Sequence, residues 1–187
     1  YYGSLPVLQN APLAGLPRIY GVAWSFVAHT DSAFDESLLV RFLNAYQSTR
    51  ELSQGDLWAL PTTLRVVLIE NLRRLAERLA SHKAAQELAS QCAVHYKDLT
   101  VETLDAAGAA MAHRGVAPVF LLHLAQAMAG HRDWGSWEQV DLPVQLWLRT
   151  AVPDLAALQT RQHIDQAADQ LSMRNAVTAL RLIGAAD

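Results

Sequence analysis

The stretch GDLWALPTTLRVVLIENLRRLAERLA, residues 55–80, decides the class of this protein. Leu64, Val67, Leu68, Asn71, Leu72, Leu75 and Leu79 recur at steps of three and four, the spacing that places side chains on one stripe of an α-helix. Glu70 with Arg74, and Arg73 with Glu77, are spaced as exposed ion pairs worth only tenths of a kcal/mol. Asn71 interrupts the apolar stripe and must find hydrogen-bond partners if it is buried. Upstream, Ser53 is a candidate N-cap and Asp56, three residues on, completes a capping box. Pro61 then lies too deep for a first turn, because it lacks an N–H and disfavours helical geometry at Leu60. The expectation is a short helical turn through Trp58, then a kink or restart near Pro61. Trp58, Pro61 and Asn71 are expected to be structural. If Trp58 is buried, its truncation to Ala costs roughly 3 to 5 kcal/mol.

Outward from this stretch the pattern stays helical. Residues 1–17 carry prolines at 6, 12 and 17 and read as an extended lead-in. One helix is expected at 18–29. A second has Asp31 or Asp35 as its cap and Leu38, Leu39, Phe42 and Tyr46 on one face. Further helices are expected at about 83–96, 100–112, 116–129, 137–151 and 163–183, with Thr100 capping one and Pro118 in the first turn of another. No strand alternation and no fixed-length repeat is present. The fold class is therefore all-α, about eight helices in a multi-helix bundle or irregular helical array, with residues 18–187 forming a single helical domain.

Composition narrows the function. The chain of 187 residues is 51% hydrophobic and 18% charged, a globular balance. A net charge of −3 with dispersed Lys and Arg gives no footprint for nucleic acid. The longest apolar run, VAPVFLLHLAQAMAG (116–130), is too short to span a membrane and contains His123 and Gln126. Cys92 stands alone, so no intramolecular disulfide or cysteine zinc site forms. The chain opens on YYGSLPVLQN without a methionine and closes on LIGAAD within helix-like sequence, which reads as a piece of a larger protein.

Chemistry-bearing patterns are few. The seven histidines are scattered and form no HExxH and no i, i+4 pair, so no metal is expected. His123, in an apolar run, reads as a core histidine. Asp31, Asp35 and Glu36 read as caps and first-turn charges rather than as a catalytic pair. No GxSxG and no glycine-rich phosphate loop occurs, so neither a catalytic residue nor a cofactor is expected. The final helix (163–185) has Arg174 and Arg181 as its only arginines or lysines and no bulky aromatic, a poor membrane-surface pattern that fits a docking helix or connector better. The segment GHRDWGSWEQVDLP (130–143) is irregular and carries Trp134 and Trp137. Such rings stack on a sugar or a partner, or cover a helix end. Arg132 and Asp133, with His131 and Glu138, would supply the polar groups of a binding site there.

Three stretches together resemble the N-terminal region of cyclic β-1,2-glucan synthases: LPRIYGVAWSFVAHTDSAFDESLLVRFLNAYQ (16–47), LSQGDLWALPTTLRVVLIENLRRLAERLA (52–80) and QAADQLSMRNAVTALRLIGAAD (166–187). The string LWALP–LR–LIENLRRLA is the most specific part. Asp56 stands where members of that family commonly have glutamate, and the resemblance thins between about 82 and 160. It implies a parent that is a large inner-membrane glucosyltransferase of Gram-negative bacteria, polymerising glucose from UDP-glucose into cyclic β-1,2-glucan. This segment would lie on the cytoplasmic face, with the remaining domains of the parent as partners and the glucan as a second candidate ligand. The family's catalytic residues fall beyond Asp187, so no catalytic role carries over to a position in this chain. The resemblance says what the parent does and not what this segment does. The absence of a catalytic constellation and the Trp58–Pro61 break read as a non-catalytic scaffold or regulatory segment, and the alternative is a glucan- or partner-binding module.

Overall fold

A computed structural model describes residue 3, residues 5–130 and residues 140–185. The described residues are all-α, with seven helices: α1 (Arg18–His29), α2 (Glu36–Gln47), α3 (Gln54–Val94), α4 (Val101–His113), α5 (Ala117–Gly130), α6 (Leu142–Ala151) and α7 (Leu155–Ala185). They group into two compact units. One takes the residues up to Leu75 and those from Ala168 onward; the other is Ala76–Ala167. The long helices α3 and α7 each contribute residues to both.

Two expectations about α3 are corrected. No break occurs at Pro61, and none occurs between residues 80 and 83; the helix runs unbroken for 41 residues. Pro61 removes the donor that the Leu57 carbonyl would use, at a cost of about 3 kcal/mol. Against that stand Leu60, Leu64, Val67 and Leu68, all buried on the same element. Each of these side chains is worth roughly 1.5 to 3 kcal/mol on burial, so packing overrides the local penalty. Ser81, His82 and Lys83 include neither Gly nor Pro, so nothing local stops the helix there. The apolar stripe is buried as far as Leu75, whereas Leu79 is 61% exposed.

In the first unit, Ile19, Val22, Ala23, Phe26 and Val27 of α1 meet the α3 stripe and Ala176, Ala179 and Ile183 of α7. The alanines leave room for close helix approach. On α2, Leu38, Leu39, Phe42, Leu43 and Tyr46 pack against this core, with the Phe26 and Phe42 ring centroids 5.5 Å apart. Asp35 is the α2 cap: its carboxylate accepts the Leu38 amide at 2.7 Å. Arg65 donates to the Ile183 carbonyl at 2.9 Å in the last turn of α7.

The lead-in folds back on itself. Val7 and Pro17 form an antiparallel bridge, the Leu8 amide donates to the Leu16 carbonyl at 2.9 Å, and Gly15 makes the turn at φ +83°. Gly21 admits this loop to α1, since a Cβ there would sit 3.0 Å from Leu8 Cδ1.

In the second unit, Ala85, Ala89 and Ala93 of α3 face Phe120 and Leu124 of α5, Leu104 and Met111 of α4, and Val144 and Leu148 of α6 in one apolar cluster. Thr100 and Thr103 form the capping box of α4. That helix ends in a Schellman turn: Gly115 at φ +73°, with the Val116 amide on the Met111 carbonyl at 2.9 Å.

Candidate functional site

Apart from Thr63, whose hydroxyl donates to the Ala59 carbonyl within α3, the buried polar residues of the first unit lie at two places. The first lies at the start of α3. Ser53 and Asp56 close the expected capping box: the Asp56 amide donates to Ser53 Oγ at 3.1 Å, and the Ser53 amide donates to Asp56 Oδ2 at 2.9 Å. The same Oδ2 accepts the Ser53 hydroxyl at 2.7 Å and the Arg18 guanidinium through Nη2. Asp56 is 0% exposed and Arg18 9%, so a capping box has been enlarged into a buried ion pair between α1 and α3. Burial pushes the Asp56 carboxyl up, but the hydrogen bonds from Ser53 and Arg18 and the Arg18 charge reverse this and hold it below its ordinary value. Arg18 Nε and Asp56 Oδ1 are buried without hydrogen-bond partners among the described residues.

The second place is the α1–α2 turn. Asp31 (φ +47°) and Ser32 (φ +64°) both adopt the left-handed conformation, and the Ser32 amide donates to the Val27 carbonyl at 2.9 Å. This is the bond that closes a Schellman turn, with Asp31 where glycine usually sits. Two asparagines hold the turn. Asn71 of α3 donates to Ser32 Oγ at 2.8 Å and to Ser172 Oγ of α7 at 3.5 Å, and Asn175 of α7 donates to the Asp31 carbonyl at 3.1 Å. A pocket of about 130 Å³ lies beside them, lined by Trp24, Asp31, Asn71 and Ser172 among others. Its volume admits several waters or a molecule of about the size of benzene.

A larger cavity, about 690 Å³, lies between the folded lead-in and the α1–α2 pair. Gln9 and Asn10 line it from the lead-in, Arg18 and Ser25 from α1, and Tyr46 and Arg50 from α2 and the turn after it. The Arg50 amide bonds to the Tyr46 carbonyl at 3.0 Å, which continues the helical turn and keeps Phe42, Tyr46 and Arg50 at steps of four. Among the described residues no carboxylate lines the cavity, and the lining holds no acid–base pair and no activated nucleophile.

The expected site residues fare differently. Arg132, Asp133, Trp134 and Trp137, with His131 and Glu138, lie outside the described residues. Trp58 is 68% exposed, so the expectation that it fixes packing is corrected. Because the helix continues through Pro61, Ala59 and Leu60 turn inward and their neighbour Trp58 turns outward. Pro61 sits inside α3, and Asn71 has the partners its position demanded. Arg18 and Arg50 carried no local signal. Arg18 reads in sequence only as the first residue of a helix, and its pairing with Asp56 spans 38 residues. Among the described residues no three His, Cys, Asp or Glu side chains gather as a metal site, and no helix is long and apolar enough to cross a membrane. Burial lowers the His123 pKa, which favours a neutral ring at pH 7.

No family model matches the chain. Half of it, 93 residues, is 38% identical to part of the cyclic β-(1,2)-glucan synthase NdvB of Rhizobium meliloti (strain 1021). The chain spans about 3% of the length of that protein. This segment is therefore related to a small part of a cyclic glucan synthase.

Proposed function

We propose that the chain is a non-catalytic helical scaffold or regulatory segment of a cyclic β-1,2-glucan synthase. The parent polymerises glucose from UDP-glucose, and this segment docks against its remaining domains on the cytoplasmic face of the inner membrane. The observation that carries the reading is the 38% identity to NdvB over half of the chain. The interior chemistry supports it. Asp56 is engaged by Ser53 and Arg18, and Asn71 by Ser32 and Ser172, as structural residues are.

The test is deletion of residues 16–187 from the full-length parent, with membrane insertion confirmed, followed by incorporation of UDP-glucose into glucan in isolated membranes. The isolated segment should transfer no glucose. The inserted deletion protein should lose most of its incorporation and recover it when the segment is supplied in trans. A normal rate of polymerisation without the segment overturns the scaffold role.

A further inference from the structure

The 690 Å³ cavity is of a size that holds a small ligand, and its chemistry is one-sided. Among the described residues its charged lining consists of Arg18 and Arg50, both cations. Arg18 spends one guanidinium nitrogen, Nη2, on Asp56. Arg50 is exposed at the end of α2 and meets no carboxylate among the described residues. Arg18 still lines the cavity with the rest of its side chain, and a guanidinium fork matches a phosphate better than any neutral group. Tyr46, one helical turn before Arg50, places a half-buried aromatic ring beside this charge. On the opposite wall Gln9 and Asn10 bring side-chain amides, donors and acceptors suited to hydroxyl groups. The lead-in that carries them is held by its own bridge at Val7 and Pro17 and seated on α1 at Gly21, so the wall is built rather than incidental.

We infer that this cavity binds a small phosphate ester: the phosphate between Arg50 and Arg18, a hydroxylated ring against Tyr46, and ring hydroxyls on Gln9 and Asn10. A sugar phosphate and a nucleotide share this chemistry. Neither the site nor its ligand depends on the scaffold reading, since the cavity lies wholly within residues 7–50.

The experiment is calorimetric titration of the 187-residue chain with glucose 6-phosphate, AMP, glucose, adenosine and inorganic phosphate. At least one ester should bind with Kd below roughly 1 mM, and its unphosphorylated parent about tenfold or more weaker. Arg50→Ala, at an exposed position, should keep the fold by circular dichroism and lose about tenfold in affinity, the scale of a charged hydrogen bond. Gln9→Ala should weaken the ester without changing the affinity for inorganic phosphate. Preference for glucose 6-phosphate identifies a sugar phosphate site, and preference for AMP a nucleotide site; both support the assignment. No binding of either ester at about 10 mM overturns it. So does inorganic phosphate binding as tightly as the esters, or ester binding unchanged by Arg50→Ala.

Discussion

Arg18, the first residue of α1, and Asp56, in the first turn of α3, form a buried ion pair on the carboxylate oxygen that also serves the Ser53 capping box. One oxygen thus closes a helix N-terminus and ties two helices together. Removing one partner leaves the other charged and dry, which costs more than the pair itself contributes. Asp56→Ala should destabilise the protein by roughly 3 to 5 kcal/mol in urea denaturation. The double variant Arg18→Met, Asp56→Ala should recover a large part of that loss. A native-like denaturation midpoint for Asp56→Ala alone contradicts this account of the pair.

The same residue sets an acid limit on stability. Its folded pKa lies below the ordinary 3.8, because the bonds and charge that favour the carboxylate outweigh its burial. A depressed folded pKa contributes stability that is present above the unfolded value and is lost as pH falls through the folded one. Stability should therefore fall as pH drops below about 4, and Asp56→Asn should flatten that slope relative to the parent chain. His123 acts in the same direction at higher pH. Burial lowers its pKa from 6.5, so the unfolded chain binds the extra proton first and stability declines as pH falls below that value. His123→Gln should remove that decline, read by melting temperature at pH 5 and 7.

Trp58→Ala should change stability by no more than about 0.5 kcal/mol, since a ring 68% exposed leaves little behind when it is removed. Phe120→Ala is the contrast. Phe120 is fully buried at the centre of the second cluster, and its loss should cost roughly 3 to 5 kcal/mol. Thermal melts of both variants provide the check, and equal shifts would count against the inward and outward faces described here.

Asn71→Ala should cost roughly 1 to 3 kcal/mol, because it deprives the buried Ser32 hydroxyl of its donor at a left-handed residue. Amide exchange around residues 30–33 should quicken more than exchange in the core of α3. Uniform change along the chain would argue that Asn71 does not act through this turn.

Pro61→Ala should raise stability by roughly 1 to 2 kcal/mol, the regained helical hydrogen bond exceeding the extra freedom of the unfolded chain. The measurement is the urea midpoint. A lower midpoint would mean that the helix depends on the shape proline gives it.

Much of this architecture was legible from residues alone, for a reason common to each case. The bounds of α1, the Ser53–Asp56 box, the Thr100 cap and the stripe from Leu64 to Leu75 all depend on neighbours within a turn or two, whereas the choice of Asp35 over Asp31 as the α2 cap came from the structure. Backbone geometry and capping determine such features locally, so the sequence by itself determined an all-α chain and the part of the α3 core face from Leu64 to Leu75. What only the tertiary structure decided is non-local. Pro61 is tolerated because burial across the first core outweighs a local penalty, and Trp58 faces solvent as a consequence. Arg18 finds Asp56 across 38 residues, Asn71 finds Ser172 across 101, and the cavity gathers residues from the lead-in, α1 and α2. Such pairings follow from the free energy of the whole packed unit, which no window of sequence contains.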